Sequence, residues 1–152
     1  MRAAQLDLLR WQPPEVTRRF EPTRVRAHGL RERVARAVAA ALADAAKRGL
    51  SRDGVAGRMT EYLGAPLTKN MLDAYASVAR EDHTLSVTRF AALLHATGDQ
   101  RLLEMLASEM GWAVIERRYL PLIELAAVHD RQDELRRVAD HLRRQARATG
   151  VL

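Results

Sequence analysis

The sequence predicts an all-α fold, a compact multi-helix domain with an N-terminal arm and a long C-terminal helix, and three observations predict it. Hydrophobic residues make up 47% of the chain but aromatics only 5%, so the apolar mass lies in Ala, Leu and Val. Ala and Leu are good helix formers, whereas the β-branched and aromatic residues that suit strands are sparse. Apolar residues recur at three- and four-residue steps along most of the chain, the period of a helix buried along one stripe. Ser, Thr or Asp stand just before several of these runs and Gly just after them, the chemistry of helix caps.

The elements follow in order. Residues 1 to 27 read as a basic arm and linker, residues 28 to 111 as a helical domain, and residues 112 to 152 as a C-terminal helical extension suited to dimerisation. The arm is apolar at Leu6, Leu8, Leu9 and Trp11 and stops at Pro13-Pro14; Phe20 and Val25 anchor the linker. A long helix is expected from Leu30 to Arg48, with Leu30, Val34, Ala37, Val38, Ala41, Leu42 and Ala45 on one stripe and Gly49 as its C-terminal cap. Ser51 caps a helix from Arg52 to Leu63 that carries Val55, Met59 and Leu63 inward and ends at Gly64. After the Ala65-Pro66 turn, Thr68 caps a helix from Lys69 to Ala79, its inner face Leu72, Tyr75 and Ala76. Asp82-His83 breaks the pattern. Ser86 caps Val87 to Ala96, with Phe90, Leu93 and Leu94 inward; Gly98 ends that helix and Asp99 caps the next, Gln100 to Met110, carrying Leu102, Leu103, Leu106 and Met110.

The segment WAVIERRYL, residues 112 to 120, fits either a short strand or a resumed helix, and no partner strand is evident elsewhere. Pro121 suits the first turn of a final helix reaching Ala148, with His129-Asp130 a candidate interruption. In that helix Leu135, Val138 and Leu142 form a narrow apolar seam among charged neighbours, the pattern of a helix that pairs with another within the chain or in a second copy.

Composition excludes several function classes. With no cysteine there is no disulfide, thiolate metal site or cysteine nucleophile. No apolar run reaches the roughly 20 residues needed to span a bilayer, and the N-terminus has no uninterrupted apolar signal core, so a cytoplasmic protein with no membrane partner is expected. There is no phosphate-binding glycine loop, no Gly-x-Ser-x-Gly elbow and no carboxylate pair in an apolar setting. His95 and Asp99 are four apart, but Thr97-Gly98 ends the helix between them, and they read as caps and polar rim. His28, His83, His129 and His141 have no ligand spacing. A non-enzyme without cofactor or metal is expected.

The formal charge of +6 is uneven: residues 1 to 60 hold 13 basic against 6 acidic side chains, and residues 61 to 152 hold 12 against 13. A basic excess of this kind suits a nucleic-acid partner or merely a solvated helical surface. Residues 51 to 79 place two short helices, joined by a turn with Gly64 and Pro66, after a longer supporting helix. That is the order in which a helix-turn-helix presents its second helix to the major groove of double-stranded DNA. Thr68, Lys69 and Asn70 stand at the leading end of that second helix, where Asn can read adenine and Lys or Thr can bond guanine or phosphate. Asp73 and Ser77 are expected to continue the face, with Arg52, Arg58 and Arg80 on the DNA backbone.

Two resemblances add to this reading. Residues 83 to 112 contain His83-x-Leu85, Thr97-Gly98-Asp99, Leu102-Leu103, Leu106-Ala107, Glu109 and Gly111-Trp112. In this they resemble the phage CII-like regulatory proteins, and are also similar to uncharacterised proteins of Mu-like prophages. The resemblance implies a dimeric transcriptional regulator whose DNA-binding motif precedes His83. The arm's QLDLL, Gln5 to Leu9, is similar to the short motif by which bacterial replication proteins dock on the sliding clamp. That implies a partner-binding element of Gln5, Leu6, Leu8, Leu9 and Trp11 and an alternative role as a helical adaptor that binds no DNA. The account that the residues themselves favour is that the arm folds back on its own domain or on a second copy, since large exposed apolar patches are uncommon.

Overall fold

The computed structural model describes residues 15 to 151. The expectations for Gln5, Leu6, Leu8, Leu9 and Trp11 lie outside these residues. The fold is all-α, and among the described residues there is no strand. Among the described residues seven helices follow one another: α1 (Pro22–Val25), α2 (Leu30–Lys47), α3 (Arg52–Leu63), α4 (Lys69–Tyr75), α5 (Val87–Thr97), α6 (Arg101–Glu109) and α7 (Leu120–Ala148), with a 3-10 turn at Arg117–Tyr119. The chain divides into two compact units, one reaching Val114 and one starting at Ile115.

The first unit is built around α2. Its Ala37, Val38, Ala41, Leu42 and Ala45 are essentially without solvent contact, and they meet Val55 and Met59 of α3, Leu72 of α4, Leu93 of α5 and Leu102 of α6. The alanines on α2 let the other helices approach closely, and α3 in turn packs most extensively on α5. The expected stripe runs one turn too far, because Leu30 is exposed. The linker expectation is corrected: Phe20 is buried in the core cluster and α1 packs on α2, so residues 20 to 27 belong to the domain rather than tether it. The guanidinium of Arg101 covers the Phe20 ring at 4.3 Å, a cation–π contact that closes this corner.

Local chemistry sets most of the ends. Ser51, Thr68 and Ser86 each accept a hydrogen bond from the backbone N–H three residues on, satisfying a donor that has no partner inside the helix. Gly64 and Gly98 stop α3 and α5 with φ of 65° and 64°, a left-handed conformation that costs glycine little. The N-cap of α6 is Gln100 rather than the expected Asp99, which stands one residue earlier and whose Oδ1 accepts from the Arg101 N–H at 3.1 Å.

Three expectations are corrected. α4 ends at Tyr75, not Ala79, because Val78, Ala79 and Arg80 are exposed and have nothing to bury, and the Val78 carbonyl turns to the Arg31 guanidinium. On α6, Leu103 and Met110 face solvent while Glu104 is 1% exposed. Residues 112 to 116 are neither strand nor helix, since Glu104 Oε2 captures the Val114 N–H at 2.6 Å where a partner strand would have been needed.

The second unit is the 3-10 turn followed by α7, a continuous helix of 29 residues with Pro121 in its first turn. His129-Asp130 does not interrupt it. Ion pairs three residues apart, Arg131–Glu134, Asp133–Arg136 and Asp140–Arg143, support the helix along its charged flank.

Candidate nucleic-acid interface

The α3–turn–α4 unit is anchored from inside. Val55, Ala56 and Met59 fix α3 in the core, and Leu72, Ala74 and Tyr75 fix α4. Between them, Thr60 clamps the turn in both directions: its Oγ1 accepts from the Leu67 N–H at 2.9 Å and donates to the Leu67 carbonyl at 3.2 Å. Leu67 is buried, so the clamp satisfies two backbone groups that water cannot easily reach. The α4 axis is thus set by one hydroxyl, one apolar plug and the left-handed Gly64.

Thr68, Lys69 and Asn70 come together at the leading end of α4, and all three are exposed. The Thr68 Oγ1 accepts from the Met71 N–H at 3.3 Å, a bond that does not use its hydroxyl proton. Among the described residues Lys69 has no ion-pair partner and Asn70 no side-chain hydrogen bond.

The remaining expected contacts divide differently. Asp73 forms an ion pair with Arg52 across the α3–α4 junction, so the two charges cancel beside the exposed trio and Arg52 is committed within the fold. Arg58 donates to the Ala96 carbonyl at 3.3 Å, and Arg48 to the Thr97 carbonyl at 3.2 Å. Both therefore place a cation at the C-terminal end of α5, where carbonyls lack helical partners. Ser77 lies past the end of α4 and does not continue its face, and Arg80 follows in the same exposed connection.

Several polar residues central to the unit are not apparent from the sequence. Arg24 and Arg101 converge on Asp44 at 2.7 and 2.9 Å, and Arg101 also holds Asp99 at 2.6 Å. Hydrogen bonds first from Arg24, then from Arg101 and Lys47, hold the Asp44 carboxyl well below the usual carboxylate range. Its neighbours respond in the opposite sense: the Arg101 and Arg24 guanidiniums are held charged even more firmly than usual, through bonds to Asp99 and to Asp44 respectively. Buried Glu104 accepts from Arg19 Nε at 3.0 Å as well as from Val114. Arg89 bonds the Tyr75 hydroxyl and so ties α5 to the last turn of α4. These groups bind the fold together through their bonds to one another, although Arg19 and Arg101 also line a shallow surface cavity with Phe20 and Arg33. No three His, Asp or Glu side chains among the described residues are grouped to hold a metal ion, and none of the helices is long and apolar enough to cross a membrane.

No family model, curated protein or solved structure matches the chain.

Proposed function

We propose that the protein is a phage-type DNA-binding regulator that acts as a dimer and offers the leading end of α4 to the major groove. The observation that carries this reading is the contrast along α4. Leu72, Ala74 and Tyr75 are buried while Thr68, Lys69 and Asn70 are exposed, so the helix is anchored by its second half with its polar end outward. In the groove, Asn70 donates to and accepts from an adenine edge, Lys69 bonds guanine or phosphate, and the Thr68 hydroxyl donates to phosphate. The Arg52–Asp73 pair offsets the one carboxylate that would repel the duplex on this helix. The basic excess of the first sixty residues and the resemblance of residues 83 to 112 to the CII-like proteins support the same reading.

The test is a footprint and an anisotropy titration on a sequence selected from random duplexes. The double variant Lys69→Ala, Asn70→Ala is expected to keep its circular dichroism spectrum and lose its preference for that sequence over random DNA. Affinity should fall steeply with salt, and Lys69→Ala alone should lower the slope of log K against log salt by about one, the counterion release of a single phosphate contact. A footprint unchanged in the double variant rejects the assignment of α4. Deleting residues 1 to 14 separates this reading from an adaptor: a regulator keeps most of its DNA affinity.

A further inference from the structure

The second unit carries an apolar surface that none of the described residues covers. No residue of α7 is buried, and Leu125, Val128, Leu135, Val138 and Leu142 are each 48–57% exposed. Val128, Leu135 and Leu142 are seven apart, Leu125 lies three before Val128, and Ala139 four after Leu135. These positions fall on one seam about 26 Å long at 1.5 Å per residue, the spacing of a two-stranded coiled coil.

We infer that α7 pairs with α7 of a second copy in antiparallel orientation. The inference deepens the dimeric part of the proposed function and rests on that part alone, since it requires nothing of α4. Charge selects the occupant and its direction. Residues 120 to 134 carry four acidic side chains and one basic, whereas residues 135 to 148 carry five basic and one acidic. Three ion pairs within the helix consume Arg131, Asp133, Glu134, Arg136, Asp140 and Arg143. What remains is Glu124 and Asp130 on the first half against Arg137, Arg144 and Arg147 on the second. A parallel pair sets each of these surpluses against itself, and like charges in register are destabilising. An antiparallel pair sets the acidic half of each helix beside the basic half of the other and also opposes the two helix dipoles.

The apolar layers fit the same direction. Setting Leu125 against Leu142 of the second copy brings Val128 against Ala139 and Gln132 against Leu135, and the twofold repeats each contact. Large then meets small or large in every layer, and Gln132 sits beside the centre, where a polar side chain disfavours slipped registers. Glu124, flanking the seam one residue before Leu125, comes beside the arginine-rich end of the second copy's helix.

The chain lacks cysteine, so introduced cysteines report orientation cleanly. Light scattering on the full chain without DNA is expected to give twice the 17.1 kDa chain mass. Leu135→Glu with Leu142→Glu should halve that mass while amide protection in α2 is unchanged. A mixture of Leu125→Cys and Leu142→Cys chains should oxidise to the mixed disulfide, and neither variant alone should cross-link. Self-cross-linking of Leu125→Cys shows a parallel dimer, which overturns the inference and leaves a dimeric regulator standing. A wild-type chain of single mass at micromolar concentration overturns both the pairing and the dimeric part of the proposed function, with DNA binding read separately by the Lys69 and Asn70 variant.

Discussion

Replacing Asp44 with Asn should cost the first unit about 2–3 kcal/mol at neutral pH, and the structure supplies each part of that figure. Asp44 accepts two hydrogen bonds from Arg24, at 2.7 and 3.0 Å, and one from Arg101 at 2.9 Å, with Lys47 at 3.3 Å. Charge-assisted bonds contribute roughly 1.5–3 kcal/mol each when buried. Two discounts apply here. The Arg24 side chain is about a third exposed and regains water, and Arg101 keeps its bonds to Asp99. Against them, the amide that replaces a carboxylate oxygen points a donor at two guanidiniums. The sign of the pH dependence follows from the lowered Asp44 carboxyl. A group held below its unfolded value of about 3.9 stabilises the fold above that pH and ceases to as it is protonated. The gap between wild type and Asp44→Asn should therefore be constant above about pH 5 and close progressively toward about pH 2. Native-state hydrogen exchange of the α2 amides measures it without interference from α7. A gap below about 0.5 kcal/mol, the range of an ordinary surface substitution, would refute the reasoning, as would a gap indifferent to acid.

Two further substitutions test how the site is held. Thr60→Val keeps the shape of the side chain but strands the buried Leu67 N–H, so urea denaturation should show a loss of about 1–3 kcal/mol; because the turn aims α4, DNA affinity should drop with the salt slope unchanged. Glu104→Ala removes the acceptor of both the Val114 N–H and Arg19 and opens a void, at about 2–4 kcal/mol, whereas Glu104→Gln fills the same space and keeps one acceptor oxygen and should lose about half as much; equal losses in the two variants would show that the lost acceptor and not the void sets the cost.

The parts of this fold that were legible in the sequence are those decided within a few residues. Ser51, Thr68 and Ser86 cap where their side chains can reach an N–H three positions on, and Gly64 and Gly98 stop helices by their own backbone freedom. Such choices need no knowledge of the rest of the chain. The stripe on α2 was legible for the same reason, since periodicity is a local property. Where α4 stops was not. A helix continues while it has a face to bury, and whether Val78 and Ala79 meet anything depends on distant helices such as α2, whose Arg31 stands 47 residues before Val78.

The candidate interface divides along the same line, and the division explains why arginines mislead in this chain. Thr68, Lys69 and Asn70 stand exposed because a capping threonine puts the next two side chains at a free helix end, a local consequence. Arg52, Arg58 and Arg24 have similar sequence surroundings, yet they reach Asp73, Ala96 and Asp44 at separations of 21, 38 and 20 residues. A guanidinium on a flexible stem satisfies carboxylates and helix-end carbonyls equally well, so its role is settled by whichever acceptor the tertiary fold delivers. Count alone therefore overstates the cationic surface offered to a duplex. If Lys69 is the main cation on the α4 face, α4 by itself accounts for only about one phosphate of the salt slope. The steeper share must then come from residues 1 to 27 and the basic end of α7. Measuring the slope with and without residues 1 to 14 reads the share of Arg2 and Arg10: a slope unaltered by both that deletion and Lys69→Ala would leave no phosphate contact to the arm or to Lys69.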